Sequence, residues 1–321
     1  MDPHLDVPSA YRQFAEEASD SPTFSSWARA AAEDPELVAW LETLPGIKQQ
    51  PNLVFAAARW HGVPAPGPYA ALREALLLDD GSIRATVMAR ATQTNEVGRL
   101  ATLLPAFAGF EGPLALLEVG AAAGLNLFPD RWGYAWETAE GTVELGDEPR
   151  LPCRVDGAAP LPDSLPEVAW RGGVDLNPLD VTDPGAMAWL AQLVWPEQDE
   201  RLRRLAQAIR VAQDDPPQLV QGNLLDELPD LVARAGAHGT VVVFHTAVIA
   251  YLEPADRERF DTMMRDLVAS GACHWVSNES GSVLPSVTRT GPEPDLHFVL
   301  GVDGRAVAHT HGHGRELHWF G

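Results

Sequence analysis

The chain reads as an α/β protein: five parallel strands closed by a C-terminal antiparallel hairpin, with an N-terminal helical subdomain in front. Three observations carry this expectation. From Leu114 onward, short apolar runs alternate with helical patterns, as in a parallel sheet wound with crossover helices. The first run, Leu114-Ala-Leu-Leu-Glu-Val119, passes directly into a turn carrying Gly120 and Gly124. Before about Gly109 the apolar residues recur at helical spacing. The expected division is therefore a helical subdomain over 1–109 and a sheet domain over 110–321.

Taken in order, helical spacing shows in the runs starting at Phe24, Leu37 and Leu53. Asp34-Pro35 is a start signal, Gly46 and Gly62 are stops, and Pro64-Ala-Pro-Gly-Pro68 is a linker. Strand one at Leu114 should lead through its glycine turn into a helix. Residues 134–166 carry short alternating pieces between turn residues and are expected to form an inserted β excursion. Strand two is Val168–Asp175, followed by helices over Asp183–Val194 and Glu197–Val211. Strand three is Gln218–Gly222, and a helix runs from Asn223 to Leu231. The β-branched run Thr240–His245 is strand four, a helix covers Pro254–Val268, and Cys273–Ser277 is strand five. Leu296–Gly301 and Arg305–His309 flank Asp303-Gly304, a hairpin turn signal. No helix is expected between strand five and this hairpin, and the chain has no internal repeat.

Composition narrows function. A formal net charge of -22 over 321 residues disfavours nucleic-acid backbones and anionic membranes and suits a small-molecule or cationic substrate; the same acidity also serves solubility. Lys48 is the only lysine, so Schiff-base chemistry has one candidate. Cys153 and Cys273 form no C-x-x-C pair, which argues against a zinc knuckle or a disulfide framework and for a reducing cytoplasm. The first residues lack the pattern of a signal peptide and no stretch has the length of a membrane span, so a soluble, unexported protein is expected.

The glycine turn is the strongest chemical signal. Glu118 stands two residues before Gly120, where a carboxylate repels a pyrophosphate and suits a cofactor bearing a positive charge or an amino group. The dinucleotide pattern G-x-G-x-x-G also fails from Gly120, because Ala122 and Leu125 occupy the glycine positions. Together these favour S-adenosylmethionine over NAD, with Glu118, Gly120, Ala122, Gly124 and Asn126 as candidate contacts. A purely structural strand-to-helix turn is the alternative.

With those elements placed, residues 93–321 resemble the class I S-adenosylmethionine-dependent methyltransferases, a Rossmann-like sheet. Over nearly its whole length the chain more closely resembles a bacterial family known as domain of unknown function 2332. The phrases that carry the closer likeness are Gln93-Thr-Asn-Glu-Val-Gly-Arg99, Leu117–Leu127, Val174-Asp-Leu-Asn-Pro-Leu-Asp-Val181, Leu193-Val-Trp-Pro-Glu197, Phe244–Leu252 and Trp275-Val-Ser-Asn-Glu279.

The methyltransferase resemblance implies a ribose-binding acid at the end of strand two. Asp175 holds that place, with Leu176 and Asn177 beside it, although it lies about 50 residues beyond Gly124 rather than the roughly 20 of a compact unit. The excursion must supply that length; an N-cap or turn role ahead of Pro178 is the alternative. Asn223 and Leu224 fall where the adenine would be met, and Asn223 equally fits an N-cap with Asp226 three residues on. His245, Thr246 and Tyr251 follow strand four. The absence of N-P-P-Y and D-P-P-Y speaks against methylation of DNA-base or glutamine amines.

His245 is the leading candidate base, with Glu279 and Tyr251 as further catalytic candidates and Asn278 beside Glu279; each also has a structural alternative. Gln93, Thr94, Asn95 and Glu96, at an expected helix start, and Arg99 are candidates for a lid or substrate contact. His309, His311 and His313 share strand parity, with His318 beyond, but Gly312 and Gly314 interrupt the strand and no metal is expected. The expected function is methyl transfer from S-adenosylmethionine, yielding S-adenosylhomocysteine, to an unidentified small molecule beneath the N-terminal helices. A non-catalytic cofactor-binding scaffold is the alternative from another class.

Overall fold

Side-chain caps and early prolines open the first helices. Asp6 accepts the Ser9 N–H at 2.8 Å, Ser21 the Phe24 N–H at 3.3 Å, and Asp34 those of Glu36 and Leu37. Each satisfies donors that a helix start leaves open, and a proline follows within two residues, where its missing N–H costs nothing. The computed structural model describes residues 6–93, 95–294 and 297–321. It divides into two compact units, residues 1–94 with 183–206, and residues 95–182 with 207–321.

In the first unit run α1 (Val7–Glu17), α2 (Pro22–Ala32), α3 (Pro35–Glu42), α4 (Pro51–Trp60), α5 (Tyr69–Leu77) and α6 (Ser82–Ala89). Helix α4 is buried from Leu53 to Ala58. Its Phe55 meets Tyr11, Phe14, Phe24 and Trp27 edge-on, with ring centroids 5.9, 6.1, 5.2 and 5.5 Å away, the geometry in which positive ring edges face negative faces.

The second unit begins with α7 (Leu100–Phe107), then β1 (Leu114–Val119), β2 (Gly133–Thr138), β3 (Gly141–Leu145), β4 (Arg150–Asp156) and β5 (Val168–Asp175). The chain next gives α8 (Pro184–Leu193), within the first unit, and α9 (Asp199–Asp214). Arg59 on α4 donates to the Gln192 and Val194 carbonyls at the end of α8, 2.7 Å each, and the Trp189 indole donates to Ala91 O at 3.0 Å. The second unit is completed by β6 (Gln218–Gln221), α10 (Leu224–Ala235), β7 (Thr240–Thr246), α11 (Pro254–Ala269), β8 (His274–Ser280), α12 (Pro285–Thr288), β9 (Phe298–Val302), β10 (Arg305–Thr310) and β11 (Glu316–Trp319).

The sheet has eleven strands in the order β3-β2-β4-β11-β10-β9-β8-β7-β1-β5-β6. The expected five parallel strands are present as β6-β5-β1-β7-β8, and β9 and β10 form the antiparallel hairpin. The count differs for two reasons. β11 was not anticipated, because Gly312 and Gly314 hide a four-residue strand. Through β11, which pairs in parallel with β4, the excursion β2–β4 joins the main sheet. Two helix expectations also change. After the glycine turn come only 3₁₀ turns at Leu125–Leu127 and Pro129–Arg131, since Pro129 cannot donate and Gly133 already opens β2. A short helix, α12, does separate β8 from the hairpin. Leu296, expected to open the hairpin, lies outside the described residues.

No helix among the described residues is long and apolar enough to cross a membrane.

Candidate functional site

The carboxyl ends of β6, β5, β1 and β7 gather the candidate residues of the glycine turn and its neighbours, the edge where open α/β sheets bind ligands. β1 is buried along its whole length between β5 and β7, with Glu118 level with Gly173 and Phe244. Beyond it, Gly120, Ala122 and Gly124 adopt φ of 68°, 49° and 69°. Alanine rarely takes this conformation, and Ala122 is held there on both sides. Its N–H donates to Asp175 Oδ2 at 2.8 Å and its carbonyl accepts the Leu179 N–H at 2.8 Å. Asp175 Oδ1 accepts the Asn177 N–H at 2.7 Å, so one oxygen of this carboxylate holds the glycine turn and the other the chain leaving β5.

Gly120 shows how closely the turn is packed. A β-carbon there would stand 2.4 Å from Val248 Cγ1. Gly120→Ala is expected to cost about 2–4 kcal/mol, summing a strained φ and overpacking against a stiff side chain. Urea unfolding checks this, and Gly120→Ala with Val248→Ala should recover the overpacking share alone.

Glu118 sits beneath the turn, 3% exposed. Its Oε1 accepts from Asn126 Nδ2 at 3.0 Å. Glu118 Oε2, Asn126 Oδ1 and Asn95 Nδ2 are buried without a hydrogen-bond partner among the described residues. Asn95 Oδ1 accepts the Ala123 N–H at 3.3 Å. Burial pushes the Glu118 carboxyl up to about 8; the Asn126 hydrogen bond opposes this, the Asp175 charge reinforces it and the Arg99 charge opposes it. Arg99 is itself buried and donates to the carbonyls of Thr246 at 3.0 Å and Gly312 at 2.7 Å.

His245 is fully buried, and both ring nitrogens are engaged. The Trp275 indole N–H can only donate, so His245 Nε2 accepts it at 3.0 Å and the ring proton lies on Nδ1, which donates to Glu279 Oε1 at 2.7 Å. The same oxygen accepts the N–H groups of Val248 and Ile249 at 2.9 and 3.1 Å. Through these bonds Glu279, with His245 beside it, ties down the loop after β7, where Ala247 has φ 57°. Asn278 is likewise buried, donating to Thr246 Oγ1 at 3.2 Å and accepting from Thr310 Oγ1 at 2.7 Å.

The remaining candidates are more peripheral. Asn223 is exposed and caps α10 by accepting the Leu225 N–H at 3.0 Å, with half-buried Leu224 beside it. Leu176 and Asn177 are exposed at the end of β5, and Tyr251 is 68% exposed on the 3₁₀ turn Ile249–Tyr251. Gln93 belongs to the first unit and Thr94 lies outside the described residues. Residues Asn95 and Glu96 are not helical; Glu96 accepts the Gly98 N–H at 3.0 Å and so caps the 3₁₀ turn Val97–Arg99. Strand parity among the C-terminal histidines ends with β10, leaving His309 on the strand and His311 and His313 in the following turn.

Sequence reasoning missed Trp275 as the partner that fixes the His245 ring, and Arg171. The buried Arg171 guanidinium on β5 donates to Leu127 O and Asp130 Oδ2, both at 2.7 Å, holding the two 3₁₀ turns after the glycine loop. Arginine inside an otherwise apolar strand was the available signal for it.

Fold and site together define a mixed α/β protein with a large, mostly parallel sheet and a buried polar cluster at its carboxyl edge. The family model described as uncharacterized protein conserved in bacteria (DUF2332) matches residues 8–319, and the chain belongs to that family. No curated protein and no solved structure matches it.

Proposed function

We propose that the chain is an S-adenosylmethionine-dependent methyltransferase acting on a small molecule. The observation that carries this reading is the Glu118 carboxyl, buried at the end of β1, whose Oε2, like Asn126 Oδ1 and Asn95 Nδ2, has no hydrogen-bond partner among the described residues. Such a donor set fits a ligand that brings a cation and an amino group, and it disfavours a pyrophosphate. Glu118, Asn126 and Asn95 would hold the charged end. Asp175, Leu176 and Asn177 at the end of β5, with Asn223 and Leu224 beyond β6, would meet the nucleoside. The cofactor supplies an electrophilic methyl group on a sulfonium. The residues around it would position it and exclude water, the main route to rate in a reaction of this kind.

A second reading, a cofactor-binding scaffold without turnover, draws support from His245. With both ring nitrogens engaged, it offers no basic nitrogen to an acceptor. Acceptors that need no proton removed are therefore the ones to screen first.

Calorimetric titration with S-adenosylmethionine and S-adenosylhomocysteine tests the reading. The expected result is micromolar binding, weakened at least tenfold by Glu118→Gln, since a charge-assisted contact contributes about 1.5–3 kcal/mol. At pH 7 binding should release protons, seen as a dependence of the heat on buffer ionisation, because a cation beside Glu118 favours the carboxylate. No heat and no thermal shift at millimolar cofactor would sink both readings.

A further inference from the structure

We propose that His297, Glu316 and His318 form a binding site for one divalent transition-metal ion, zinc by the chemistry of its ligands. His297 immediately precedes β9, and Glu316 and His318 alternate on β11, so the last two share one face of the sheet. One ligand atom from each of the three lies within 4.8 Å of the other two. Both imidazoles address the same oxygen: His297 Nε2 is 3.5 Å and His318 Nε2 3.9 Å from Glu316 Oε2. Ligands held tetrahedrally at about 2.0–2.1 Å from zinc stand about 3.3 Å apart, so side-chain adjustments of about 1 Å close the site.

The surroundings are those of a ligand set. His318 turns its other ring nitrogen, Nδ1, toward Asp156 Oδ2 at 3.6 Å, with Asp156 directly opposite on β4. A metal-bound imidazole generally hands its second N–H to such an oxygen, which fixes the ring and strengthens the ligand. Arg154, on the same face of β4, occupies Glu316 Oε1 and leaves Oε2 to the imidazoles. Two imidazoles and a carboxylate leave a fourth position for water.

The ion would sit beside a narrow junction. β11 and β4 pair over only Glu316–Arg154, Leu317–Val155 and His318–Asp156, and this short ladder joins β2–β4 to the rest of the sheet. Metal binding there should stabilise the fold by mass action.

The test uses the full-length, tag-free protein, stripped with a chelator and titrated with zinc alone and with cobalt(II). One equivalent of zinc is expected to bind and raise the thermal midpoint, with cobalt giving the visible absorption of a four-coordinate site. His297→Ala and His318→Ala, checked for folding by circular dichroism, should each weaken zinc at least tenfold, and Asp156→Asn by about tenfold. His311→Ala and His313→Ala should leave binding unchanged. Absence of binding at millimolar zinc, or equal binding by the His297 and His318 variants, overturns the proposal, as does loss in the His311 or His313 variants.

Discussion

Glu279→Ala is expected to lower the unfolding free energy by about 3–5 kcal/mol, the usual consequence of removing one partner from a buried, hydrogen-bonded network. One oxygen of Glu279 accepts from His245 Nδ1, Val248 N and Ile249 N. Truncation strands all three donors in a region where His245 is wholly buried and Val248 packs against Gly120. Unsatisfied buried donors cost far more than a good hydrogen bond contributes, so the loss should exceed that of an ordinary cavity-free surface change. Glu279→Gln keeps a carbonyl oxygen for the same donors and should lose less than half as much. Urea denaturation of the three proteins at pH 7 measures the difference. A loss under about 1 kcal/mol in the alanine variant would mean the loop after β7 does not depend on this carboxyl.

The second large effect depends on pH. Glu118 titrates near 8 in the folded chain against 4.5 when exposed, because burial disfavours its charge. Between these values the folded state holds a proton that the unfolded state has released. Stability from this group is therefore full below about 4.5 and falls as pH rises through 8. Each pH unit of that window corresponds to about 1.4 kcal/mol, so a few kcal/mol should be lost across it. Glu118→Gln removes the titration while keeping shape and neutrality. It should match the parent near pH 5 and exceed it by a few kcal/mol at pH 8.5. Parallel pH–stability curves for the two proteins would falsify the assignment. This variant should thus gain stability under the same alkaline conditions in which it loses cofactor affinity.

Much of the fold was legible because the signals were local. The apolar runs at Leu114, Thr240 and Val168 and the caps at Asp34 and Asn223 give strand and helix positions directly. What escaped depended on pairing at long range. β11 is four residues between glycine-rich turns and a terminus, and only its partners β10 and β4 make it a strand. The turn after β1 resembled the start of a helix because Gly120 and Gly124 fit one. Its actual course is set by Asp175, far along the chain, and by Arg171. At the site, Glu118 could be named from its place before Gly120 and Asp175 from the methyltransferase resemblance, but their environment could not be read from either. Whether a histidine is a base or a satisfied core group depends on its neighbours, and Trp275 reaches His245 from the adjacent strand.

The helical unit takes residues 183–206 from a point after the fifth strand, and this bears on how the chain emerges from the ribosome. Ser21 and Thr23 at the start of α2 bond to Glu197, and Phe14 packs edge-on to Trp195 with centroids 5.8 Å apart. The N-terminal helices are synthesised first but cannot complete their own core until residue 206 has cleared the exit tunnel. By then β1–β5 are already exposed and able to pair. Growth of the polypeptide therefore imposes a waiting period on these helices, whose core is closed by a segment that lies beyond the fifth strand.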